Sequence, residues 1–177
     1  MNERALGTLT GLRLTAIPLA AIGSIGLYVI VVVLMAVFNI PISSALLGGL
    51  IVVVLHWFTE VVHQLGHATV ARRTGHPMTG IRFGTFGVLS TCVYPPDEPP
   101  LPAEIHIRRA LGGPIFSTVL SVIGFILILV IGPSVDAMWT FVLWFFFLEN
   151  FVVMTLQVFI PLSFNDGGTI WHWIRQR

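Results

Sequence analysis

The sequence predicts an all-α membrane protein: four transmembrane helices with a short β-like cytoplasmic hairpin between helices 2 and 3. Three observations predict it. Hydrophobic residues make up 55% of the 177 residues and charged residues 10%, at a mean hydropathy of +0.91. A soluble domain carries about 25% charged residues, so this chain cannot cover a water-facing surface. Four apolar stretches each meet or exceed the roughly 20 residues that a helix needs to cross about 30 Å of hydrocarbon. Finally, all nine positive charges are Arg, and they fall in only three places. The same composition excludes disorder, coiled coil and collagen. A net charge of +1 suggests no nucleic-acid partner, and the single cysteine, Cys92, excludes an internal disulfide framework.

The first stretch, Leu14 to Phe38, carries no charge. It is too long for a signal-peptide core of about 7–15 residues, and no clear A-x-A site follows it, so it reads as an uncleaved signal-anchor helix. The second, Ser43 to Ala71, is apolar with ionisable interruptions. The connector Thr74 to Ile107 is long enough to suggest a function. Within it, Ile81–Val93 is rich in β-branched and aromatic residues with interleaved glycines, the pattern of a hairpin or bulged strands. Tyr94-Pro-Pro-Asp-Glu-Pro-Pro-Leu-Pro102 follows and reads as a semi-rigid spacer. Helices 3 and 4 are expected over Ala110–Ile131 and Val135–Ile160, the latter with Glu149 inside it. The whole forms a single polytopic domain.

The Arg positions predict the topology. Arg4 and Arg13 precede helix 1, Arg72, Arg73, Arg82, Arg108 and Arg109 lie between helices 2 and 3, and Arg175 and Arg177 follow helix 4. The other two connectors, 39–42 and 132–134, contain none. The positive-inside rule then places both termini in the cytoplasm, with the plasma membrane as the expected location.

Ionisable groups inside a membrane helix are costly and ask for a partner or a function. With His63 as zero, His56, His67 and Glu60 fall at about 20°, 40° and 60° around helix 2, so all four share one face. His63 and His67 stand one turn apart and can reach one metal ion, although two histidines packed as satisfied polar groups would show the same spacing. Asp166 precedes Arg175 by the same interval as His63 precedes Arg72, which puts the three at similar depth. Two imidazoles and one carboxylate leave a position on zinc open, as catalytic sites do. An ordinary turn Asp before Gly-Gly is the alternative reading of Asp166. Counting from the other side, Glu149 and His56 share a depth of roughly 20 Å, which predicts a buried carboxylate–imidazole pair.

Three segments carry a resemblance. His63-Gln-Leu-Gly-His-Ala-Thr-Val-Ala-Arg-Arg-Thr-Gly75 resembles the zinc-motif helix of the site-2 protease family of intramembrane metalloproteases. Ala110-Leu-Gly-Gly-Pro114 resembles the family's Ala-Gly-Pro helix opening, and Phe159-Ile-Pro-Leu-Ser-Phe-Asn-Asp-Gly-Gly168 its Asn-x-x-Pro…Asp-Gly segment. The resemblance implies zinc held by His63, His67 and Asp166, and cleavage of a transmembrane protein substrate within the lipid bilayer. It also implies that strands near Ile81–Val93 hold the unwound substrate by β-augmentation.

The chain departs from that pattern at the general base. The family motif is His-Glu-x-x-His, whereas Gln64 stands at the position of the Glu. An amide hydrogen-bonds water but does not accept its proton at neutral pH. Val158 and Ser117 replace two further Asn residues of the pattern. Glu60 is the candidate surrogate base, with a supporting partner of His63, or a metal ligand, as its other readings. The chain is accordingly expected to be either a protease or a catalytically impaired pseudoprotease that keeps the fold and binds membrane partners. A metal or proton translocator is a weaker alternative, and a dimetal oxidase weaker still, because a second Glu-x-x-His motif is absent.

Overall fold

The computed structural model describes residues 3–176. Two strands, β1 (Arg4–Leu9) and β2 (Leu12–Ala16), pair antiparallel around Thr10-Gly11. Both turn residues have positive φ, 51° and 85°, the backbone that suits a two-residue hairpin loop. Helix α1 then spans Leu19–Val37. This corrects the expected helix over 14–38, because residues 14–16 are strand. Pro18 explains the boundary: it disfavours helical backbone at Ile17 and itself stands at the N-cap of α1.

Helix α2 (Ile42–Arg73) is followed by β3 (Gly80–Thr85) and β4 (Leu89–Val93). The four strands form one sheet in the order β1-β2-β3-β4. β2 and β3 run parallel, with α1 and α2 as their crossover, and β3 and β4 run antiparallel. The sheet therefore holds twice the strands expected, and the chain is not all-α. Leu12, Ile81 and Phe83 pack with Ala68, Ala71 and Met78, which fastens the sheet to the end of α2.

Helix α3 runs Ala103–Val130 with Pro102 at its N-cap, so it begins at Ala103 rather than Ala110 and takes in His106. Helix α4 covers Ala137–Leu148. The expected continuous helix to Ile160 instead widens into a π-helical segment, Glu149–Thr155, and tightens into a 3-10 turn, Leu156–Phe159. Helix α5 (Asp166–Ile174), which the sequence pattern did not reveal, closes the chain.

Four helical segments, Leu19–Val37, Ile42–Arg73, Ala103–Val130 and Ala137–Phe159, are long and apolar enough to cross a membrane. Their outer faces expose Ile22, Val29, Leu50, Val54, Ile115 and Val122, among others, an apolar surface of the kind that lipid covers. At the end away from the sheet, Val31 and Met35 of α1, Ala45 and Val52 of α2, and Met138 and Val142 of α4 form a second core. Helices α2 and α3 approach most intimately at Gly66 and Gly112, where a Cβ on either would overlap the other's carbonyl.

The π-helical segment turns two polar side chains inward. Asn150 donates to Thr59 Oγ1 of α2 at 3.2 Å and to the Phe146 carbonyl at 2.8 Å. Glu149 meets Nδ1 of His56, as depth alone had suggested, and His56 Nε2 donates to the Val88 carbonyl at 2.7 Å. In the structure, Trp173 stacks on His106 at 4.1 Å and joins α5 to α3.

Candidate metal centre

His63 and His67 lie one turn apart on α2, and both are buried. Asp166 reaches them from α5. Pro161 breaks the preceding backbone, and Asn165 caps α5 by accepting the Gly168 N–H at 2.8 Å. The chain folds back so tightly that a Cβ at Gly168 would overlap the Leu162 carbonyl. Asp166 thereby stands in the first turn of α5, aimed at α2.

The donor atoms of His63, His67 and Asp166 all lie within 4.8 Å of one another, the group among the described residues that could hold a metal ion. His63 Nε2 lies 3.1 Å from His67 Nε2 and 3.1 Å from Asp166 Oδ2, and His67 Nε2 lies 3.4 Å from Asp166 Oδ1. His67 Nδ1 donates to the Arg109 carbonyl at 2.8 Å. A carbonyl only accepts, so the neutral His67 ring offers its lone pair at Nε2. His63 Nδ1 is held by Ser117 Oγ at 2.9 Å, so Ser117, noted in the sequence only as a departure, orients the first histidine. Burial drives the Asp166 carboxyl upward, but the imidazoles of His67 and His63 outweigh it and hold the group below the usual carboxylate range.

The three residues line a cavity of about 420 Å³ that also takes in Glu60, Gln64 and Cys92. Gln64 is buried, and its Oε1 accepts the Cys92 S–H at 2.9 Å. Burial, with the nearby charge of Asp166, pushes the Cys92 thiol up to about 12, so it stays protonated and donates. Glu60 is not part of the three-residue donor group. Its carboxylate accepts from the Ser90 N–H at 2.8 Å and from the Ser90 hydroxyl, which binds α2 to β4.

Beyond the residues singled out from the sequence, Arg109 borders the same cavity. So does Gly113 in effect, since a Cβ there would overlap Nε2 of both His63 and His67. The Ala-Leu-Gly-Gly-Pro run pointed to this part of α3, but not to the two contacts. His106 sits at the cavity wall, whereas His76 and His172 remain without a part in it.

No protein-family model and no curated protein sequence matches the chain. Among solved structures, the Site-2 Protease from Methanocaldococcus jannaschii matches over 99% of this chain and 72% of its own, with a TM-score of 0.62 at 19% identity. The chain shares the fold of that protease.

Proposed function

We propose that this protein is a site-2-protease-like intramembrane metalloprotease whose zinc is held by His63, His67 and Asp166. The observation that carries the reading is the meeting of two Nε2 atoms and one carboxylate within 4.8 Å inside an apolar bundle. The donor set fits the ion. Atoms about 2.0–2.2 Å from a tetrahedral zinc stand roughly 3.3–3.6 Å apart, close to the separations of 3.1–3.4 Å found here. Both imidazoles have their Nδ1 engaged, which leaves Nε2 for the metal.

Zinc in such a site polarises a carbonyl and lowers the pKa of a bound water. The chain's own residues supply the rest. Asp166 offsets the cation's charge, and Ser117 and the Arg109 carbonyl hold the two rings in orientation. Glu60 places a carboxylate in the same cavity and is the proposed proton acceptor in place of Gln64. The β4 strand borders the cavity through Ser90 and Cys92, so a substrate's unwound transmembrane segment would lie against it. Both termini and the Arg-rich connector face the cytoplasm, with the plasma membrane as the proposed location. A pseudoprotease that keeps the metal and binds membrane partners is the second reading. Gln64 favours it, since its side-chain oxygen is already taken up by Cys92.

Metal content tests the main reading. Protein purified in detergent without chelator is expected to carry about one zinc per chain by elemental analysis. His67→Ala and Asp166→Ala are each expected to reduce it to background. Protein that holds no zinc after loading and dialysis would overturn the reading. The role of Glu60 is tested separately, on a tagged model transmembrane peptide in proteoliposomes, with products read by mass spectrometry. Glu60→Gln is expected to lower cleavage by about 10²–10⁴ at unchanged zinc content. Equal cleavage would remove Glu60 from the mechanism.

A further inference from the structure

The proline-rich segment between β4 and α3 is tied to the metal centre through one residue. Glu98 accepts from both terminal nitrogens of Arg109, at 3.0 and 3.1 Å, in a forked pair. Tyr94, at the other end of the segment, places its ring 3.5 Å beneath the same guanidinium. Arg109 is 4% exposed, so both contacts are shielded from solvent. The main-chain carbonyl of Arg109 in turn takes the Nδ1 proton of His67 at 2.8 Å.

Helix α3 is weakest just after that carbonyl. Gly112, Gly113 and Pro114 follow Arg109, and glycine and proline are the poorest helix formers. Pro114 also lacks the N–H that would bond the Ala110 carbonyl, so the ladder is broken beside Arg109. The clamp on the Arg109 side chain adds to the Gly66–Gly112 contact in holding this turn in place.

We propose that Glu98 and Tyr94 are positioning residues for the metal. By clamping Arg109 they set the carbonyl that orients His67, and so they set metal affinity from outside the donor group. This rests on the reading of His63, His67 and Asp166 as a zinc site. Partners of a ligating histidine typically contribute 10–100-fold to metal affinity. The exposed pair Glu104–Arg108 on the same helix touches none of these groups and serves as the control.

The experiment is a zinc titration of the full chain in detergent against a chromophoric chelator, beside thermal melts with and without zinc. Glu98→Gln and Arg109→Lys are expected to weaken zinc by about 10–100-fold. Glu98→Asp, which keeps the charge, is expected to recover part of the loss, and Glu104→Gln to match the unchanged protein. In the weakened variants the rise in melting temperature on adding zinc shrinks. A purely structural role would lower the zinc-free and zinc-loaded melts equally and leave the affinity alone. Affinities for Glu98→Gln and Arg109→Lys equal to that of the unchanged protein would overturn the inference while leaving the zinc site standing. An unchanged protein that binds no zinc would overturn the site and this inference together.

Discussion

Gln64→Glu is expected to raise hydrolysis of a transmembrane peptide by about 10²–10⁴, the usual contribution of one well-placed general base. The structure favours this outcome for two reasons. Gln64 is buried beside the donor group, so the new carboxylate inherits a position next to the reacting centre. Cys92, whose thiol is pushed up to about 12 by burial, stays a donor at neutral pH and holds a carboxylate oxygen as it now holds the amide oxygen. Zinc content is expected to stay unchanged, because Gln64 is not among the donors. The measurement is single-turnover cleavage in proteoliposomes, with zinc determined on the same preparation. A zinc-loaded Gln64→Glu protein that cuts no faster than the unchanged one would show that divergence has reached beyond the base, and the pseudoprotease reading would then stand.

Gly113→Ala is expected to abolish zinc binding without removing any donor. The added methyl group would overlap Nε2 of His63 and of His67 at once. Both rings are already held on their Nδ1 sides, by Ser117 and by the Arg109 carbonyl, so neither can swing clear without losing a hydrogen bond. The expected result is the zinc content of His67→Ala in a protein that is otherwise folded and monodisperse. Gly26→Ala provides the comparison, because a Cβ there meets nothing within 4 Å, and it is expected to bind zinc normally. Full zinc occupancy in Gly113→Ala would mean that the metal lies elsewhere than between the two rings.

The sequence carried the parts of this site that obey a period or a depth. Helical spacing alone put His63 and His67 on one face, and counting from the Arg residues brought Asp166 to their level. Counting from the opposite side paired His56 with Glu149, which the structure places in contact. Other parts obey no such rule. Leu12–Ala16 is apolar and runs into α1, so a strand there looks like the start of a longer helix. The π-helical segment leaves no mark on an apolar pattern, and it changes which side chains after Leu148 face inward. Helix α5 is only nine residues long, too short for its pattern to stand out beside the apolar stretch before it. Glu60 pointed to the site by its face on α2, but its bond to Ser90 depends on where the sheet docks, which no local pattern reveals.

The docking of β4 on α2 has a consequence for how a peptide could be received. Along the edge of β4 and the turn before it, the Val88 carbonyl is taken by His56 and the Ser90 N–H by Glu60. Main-chain groups on one side of a strand recur at every second residue, so Cys92 is the next that faces the same way. On the proposed reading, a peptide laid along this edge would find the Val88 carbonyl and the Ser90 N–H already bonded. The helix that carries His63 and His67 would then bias the register of such a peptide through main-chain groups rather than through side-chain identity.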